Sequence, residues 1–249
     1  MSSKPFAASA ALTTLLIVLL LAVACKGGSS GSYSGSSSGV LKGKSAKANA
    51  WEAQLGAVPA TSVSAKQLYK DVNLKTILIS KGKYSRRRAK SMRPSYITIH
   101  STQNYSGDAW DHSKALNRGA LRGGSVGYLG WHFTVQEDVA IQHTPTNEEG
   151  HHADYDGAGN HRSIGIEMCE HRGNDLARTM DRTAKLTAHL MHTHKIPLSR
   201  VVPHYHWPRD GYKPPNKNCP HFLLENGKPG ATWAWFISRV ARHHQRLTG

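Results

Sequence analysis

"SYITIHST", residues 95–102, and "RSIGIEMCEH", residues 162–171, decide the fold. The first alternates β-branched and aromatic residues with polar ones, the period-2 pattern of a strand, and that strand ends at His100. The second is a strongly apolar strand that carries one carboxylate, Glu167, in its middle or at its end. Around these two the pattern alternates. "GDAWDHSKALNRG" (107–119) has an Asp near its start, good helix formers and a closing glycine, so it predicts a helix. "GWHFTVQEDVAIQHTP" (130–145) reads as a hairpin about Glu137 and Asp138. "MDRTAKLTAHLMHTHKI" (180–196) places Leu186, Leu190 and Met191 at helical spacing, and "RVVPHYHW" (200–207) is a short buried strand cut off at Pro203. "ATWAWFISRVARHHQRL" (231–247) puts Trp233, Phe236, Ile237 and Val240 on one helical face. Strands and helices in loose alternation, with one hairpin, predict an α/β domain: a central mixed sheet flanked by helices.

The N-terminal part reads differently. "MSSKPFAASAALTTLLIVLLLAVAC" has an early lysine, a short uncharged apolar run and small residues before Cys25, which is the layout of a secretory signal over residues 1–24. A retained single-span anchor is the alternative, because the run approaches spanning length. "LAVAC" resembles the lipobox of bacterial lipoproteins, which implies lipidation of Cys25 and anchorage in the cell envelope, at the outer membrane or in the periplasm. "KGGSSGSYSGSSSG" then opens a Gly/Ser-rich, basic tether, set at 25–60, followed by a basic lead-in at 61–94 and the catalytic domain at 95–249. The net charge of +16 is uneven: residues 26–95 carry fourteen Lys and Arg against Glu52 and Asp71, and residues 96–249 carry seventeen against fourteen. The expectation is a basic arm ahead of a nearly balanced domain, meeting anionic envelope polymers or lipid rather than nucleic acid.

Three cysteines are present, Cys25, Cys169 and Cys219. In an exported chain with Cys25 lipidated, the default for the other two is a disulfide. Two other roles stand beside it for Cys219, those of a nucleophile paired with a histidine and of a metal ligand. Pro220 suits the first turn of a helix with Cys219 as its N-cap, where a thiolate is favoured. His100 closes a strand, where a side chain is rigidly presented, and His204 follows another short strand and a proline. Two histidines, one cysteine and an open position make the donor set of a catalytic zinc, with Glu167 as base and Lys217 as oxyanion stabiliser. A carboxylate in "SIGIEM" otherwise calls for a buried partner such as Arg162. His189 and His192 share a helix face but no cysteine or carboxylate joins them, and a solvated face accounts for His243 and His244.

"YITIHST", "WHFTV", "NHRSIGIEMCE" and "HYHW…KNCP", in that order over nearly all of residues 95–224, resemble the zinc-dependent N-acetylmuramoyl-L-alanine amidases, type 2, of the phage-lysozyme and peptidoglycan-recognition-protein type. The resemblance implies a mixed sheet flanked by helices and hydrolysis of the amide between muramic acid and L-alanine in peptidoglycan. It implies one zinc ion on His100, His204 and Cys219, with Glu167 as catalytic base and Lys217 steadying the oxyanion. His152, Asn160 and Trp131 fall on positions lining the substrate cleft. His206 competes with His204 for the second ligand position, and the longer "PRDGYKPP" loop should reshape the groove. The expected protein is a monomer, and the competing reading is a non-catalytic peptidoglycan-binding module.

Overall fold

The computed structural model describes residues 45–124, 127–208 and 217–248. The signal, the Cys25 anchor and the Gly/Ser stretch up to residue 44 lie outside the described residues, as does most of the inserted loop, at 209–216. In chain order the elements are α1 (Ala46–Leu55), α2 (Ala65–Val72), β1 (Leu74–Thr76), β2 (Tyr96–Ser101), α3 (Ala109–Asn117), β3 (Phe133–Val135), β4 (Ala140–Gln142), α4 (Ala158–His161), β5 (Ser163–Met168), α5 (Leu176–His194), β6 (Val201–Pro203) and α6 (Ala231–Gln245). Six strands form one mixed sheet in the order β1-β4-β3-β5-β2-β6. The β3–β4 hairpin is its antiparallel pair, and every other neighbouring pair is parallel.

The alternation in β2 and β5 sorts the two faces of the sheet. Ile97 and Ile99 of β2, Ile164, Ile166 and Met168 of β5, and Phe133 and Val135 of β3 join one core with Met180, Ala184 and Leu190 of α5 and Phe236 and Val240 of α6. Burying each large apolar side chain contributes about 1.5–3 kcal/mol, so this face holds the molecule together. The intervening residues turn the other way and are polar. Thr98 meets Ser163 and accepts a hydrogen bond from Trp207 Nε1 at 2.8 Å, and His100 stands in register with Glu167. α5 is fixed at its start by the Asp175 carboxylate, which accepts from the Arg178 amide at 3.0 Å, four residues ahead of the expected start.

Elements ahead of Ser95 pack with those after it. β1 is an edge strand of the main sheet, paired with β4 from Leu74 to Thr76, and α2 packs on α5 with Leu68 and Val72 fully buried. Even the end of the expected tether is helical. In α1, Trp51 packs on Trp235 at 5.4 Å, and Glu52 accepts from Trp235 Nε1 at 2.8 Å and pairs with Arg239 at 3.2 Å. The basic composition hid this because its charges lie on the outer faces of short elements, whose few apolar residues do the packing. Arg86, 7 % exposed, is the exception, forming a two-pronged pair with Glu148 at 2.7 and 2.8 Å that fixes the segment before β2. His243 is likewise no solvated residue: it is buried and bonds Asp181 at 2.9 Å, beside the Arg239–Asp181 pair at 2.6 Å.

Candidate active site

The site forms at the C-terminal ends of the parallel strands, on the polar face of the sheet, where open α/β sheets place their ligands. His100 is the penultimate residue of β2, and Glu167 is its register partner in β5. β6 stops at Pro203, and a 3₁₀ turn over His204–His206 follows. That turn settles which histidine faces inward. His204 is 7 % exposed and points at His100, while His206 lies outside, its ring 4.8 Å from that of Trp207. Cys219 is fully buried, and the Ser101 amide donates to its Sγ at 3.3 Å. The ligand atoms of His100, His204 and Cys219 all lie within 4.8 Å of one another. Among the described residues no other group of three histidine, cysteine or acidic side chains converges in this way.

The hydrogen bonds fix the tautomers. His204 Nε2 faces the Ala153 carbonyl at 2.9 Å, so it carries the proton. His152 Nε2 faces the Ser163 carbonyl at 3.2 Å, which leaves His152 Nδ1 bare to accept from His100 Nε2 at 3.0 Å. Burial, reinforced by neighbouring positive charge, holds both rings neutral: His100 falls well below the usual imidazole range, and His204 is lowered to about 4. Each ring therefore has one proton, placed on Nε2, and the two Nδ1 lone pairs face each other across 2.9 Å. Two lone pairs at that distance repel. A cation shared between them converts the repulsion into ligation, so two imidazole nitrogens and a sulfur fit a zinc ion.

Cys219 points the same way. Burial, together with the nearby Glu167 charge, pushes its thiol up to about 12. That is the wrong direction for a nucleophile and suits a thiol that ionises only onto a metal. The expected N-cap is not formed, because Pro220 is followed by a single 3₁₀ turn, His221–Leu223, and no helix dipole reaches the sulfur. The default disulfide is absent too, since Cys169 and Cys219 are both free thiols.

Glu167, its side chain 13 % exposed, lies 3.8 Å from His100 Nδ1, and its Oε2 is buried with no hydrogen-bond partner among the described residues. Burial lifts this carboxyl to about 7, against the opposing pull of Lys217. No ion pair to Arg162 forms. Glu167, Lys217, His204 and His152 line one cavity of about 560 Å³. The other expected cleft residues, Trp131 and Asn160, also border this cavity. Trp131 is 6 % exposed, packs with Ile79 and Leu116, and donates to Thr134 at 2.7 Å. Asn160 is buried, and its Oδ1 accepts from the His152 and Ala153 amides at 2.8 and 2.9 Å, so it shapes the wall. Asp154, which accepts from the Gly159 and Asn160 amides, and Tyr155, half exposed on the rim, were not singled out from sequence. "DYDGAGN" follows neither strand nor helix period, and only its Asp and Gly content hinted at a built loop.

The profile of the N-acetylmuramoyl-L-alanine amidase family matches residues 90–222. The amidase CwlH of Bacillus subtilis strain 168 is 38% identical over 155 residues, covering 61% of this chain and 54% of its own length. The amidase XlyA of the same organism is 38% identical over 153 residues, covering 60% and 45%. This chain thus spans about half the length of the curated relatives it matches. Among solved structures the catalytic domain of XlyA superposes with a TM-score of 0.58 at 35% identity, over 68% of this chain and 99% of that one.

Proposed function

Because this chain belongs to the N-acetylmuramoyl-L-alanine amidase family, we propose that it hydrolyses the amide between N-acetylmuramic acid and L-alanine in peptidoglycan, with one zinc ion held by His100, His204 and Cys219. The observation that carries the reading is the unpartnered Glu167 Oε2 beside a bare nitrogen, nitrogen and sulfur donor set. A zinc ion bound there supplies Lewis acidity to a carbonyl oxygen and to water. The chain's own residues do the rest. Glu167, with a carboxyl poised near neutrality, takes the proton of the attacking water and passes it to the departing alanine nitrogen. Lys217, on the cavity wall, faces the negative charge that develops on the carbonyl oxygen. The cavity is walled by Trp131 and the 152–155 loop. The signal layout of residues 1–24 and the lipobox-like "LAVAC" extend the reading to an exported enzyme held at the envelope through Cys25.

The test is Glu167→Gln on purified sacculi. Release of stem peptides should fall about 10²–10⁴-fold, the range for a lost general acid–base, while bound zinc is unchanged. Release at the wild-type rate would remove Glu167 from the chemistry.

A further inference from the structure

The loop over residues 152–155 touches both histidines of the donor set from behind, and the two contacts are of one kind. His152 Nδ1 takes the Nε2 proton of His100 at 3.0 Å, and the Ala153 carbonyl takes the Nε2 proton of His204 at 2.9 Å. The loop is itself pinned: Asn160 Oδ1 accepts from the amides of His152 and Ala153, and the Asp154 carboxylate accepts from those of Gly159 and Asn160 at 3.0 and 2.9 Å. The sheet makes room for the imidazole. A Cβ on Gly165 of β5 would stand 2.7 Å from His152 Cγ, so only glycine at that position lets the ring lie against the strand. From there His152 Nε2 reaches the Ser163 carbonyl, which fixes which of its nitrogens is bare. Its ring meets that of His100 edge-on, at 5.0 Å and 86°.

We propose that His152 is a positioning residue: by accepting the His100 Nε2 proton it selects the tautomer and the ring plane that present Nδ1 to the metal. The proposal rests on the zinc reading above and adds to the place of His152 on the cavity wall. Outer partners of this kind typically change metal affinity 10–100-fold when removed.

The test uses the full-length protein, stripped of metal and titrated with zinc against a chromophoric chelator, with a parallel cobalt(II) absorption spectrum. His152→Ala should weaken zinc binding about 10–100-fold and alter the cobalt ligand-field bands. His152→Asn, whose Oδ1 stands close to the place of Nδ1, should keep affinity within about threefold of wild type. His132→Asn is the control: that ring packs 5.7 Å from His152 but bonds the Glu148 carbonyl and the Gly165 amide, so affinity should hold. Circular dichroism of the metal-free variants checks folding, and if His152→Ala does not fold, His152→Leu takes its place. Wild-type affinity in the Ala or Leu variant overturns the proposal. So does a loss in the folded Asn variant as large as in Ala or Leu. Wild-type protein that binds no zinc overturns the underlying reading of the centre instead.

Discussion

In the proposed reaction Glu167 must be ionised to take a proton, yet its burial beside β2 resists ionisation and lifts its carboxyl to about 7. The folded state therefore holds a proton that the unfolded chain releases near 4.5, and the metal-free protein loses stability as the pH rises through about 4.5 to 7. Glu167→Gln should consequently melt higher than wild type at pH 8 without metal, by about 1–3 kcal/mol; an equal or lower melting temperature would contradict the buried-base description. Activity runs the other way. kcat/KM on a soluble muropeptide should fall as the pH drops below about 7, and the zinc charge can only move that limb to lower pH, because a nearby cation favours the carboxylate. A rate that stays flat down to pH 4 would exclude a titrating base. His100 and Glu167 were legible because each sits on a strand with a clear pattern, and register then pairs them. The resemblance favours His204 over His206, but the residues alone do not decide between them, because the choice depends on the single 3₁₀ turn after Pro203.

At the scale of elements, α1, α5 and α6 meet in a buried ionic cluster. Asp181 of α5 receives Arg239 Nε at 2.6 Å, His243 Nε2 at 2.9 Å and Lys185 at 2.9 Å, and Arg239 also reaches Glu52 of α1. Burial alone would raise Asp181, but His243, Lys185 and Arg239 outweigh it and hold the carboxyl well below the usual range. A depressed carboxylate stabilises the fold above its unfolded value near 4, and that contribution is lost as the pH falls below it. Asp181→Ala leaves Arg239, 3 % exposed, short of its nearest anion and should cost about 3 kcal/mol. Thermal melts at pH 7 and pH 3 check both points: the gap between variant and wild type should narrow only modestly at pH 3, because the folded-state carboxyl is still ionised there. The main strands and the two long helices could be read from period and caps. α1, α2 and β1 could not, since they are short and bury at most two side chains each. A chain beginning at Ser95 should therefore aggregate, having lost the edge strand and two helices, while one beginning at Ser45 should fold; soluble yield and circular dichroism distinguish them.

Over the whole molecule, one sheet separates two tasks. Its apolar face packs on α5 and α6 and supplies the stability, and its polar face carries His100 and Glu167 at the strand ends. The loops that follow bring His204 and Lys217 to the same cavity and set Cys219 Sγ within 4.8 Å of the two histidine ligand atoms. The 152–155 loop then orients the two imidazoles, so a site assembled from distant parts of the chain rests on rigid elements. The most direct test is digestion of purified sacculi by the full-length protein, with the new termini identified by mass spectrometry, before and after chelation and again after zinc is restored. The account predicts free muramic acid lactyl carboxyls and new N-terminal L-alanine, lost on chelation and recovered with zinc. Cleavage at any other bond, or the same products undiminished in metal-free protein, would contradict it.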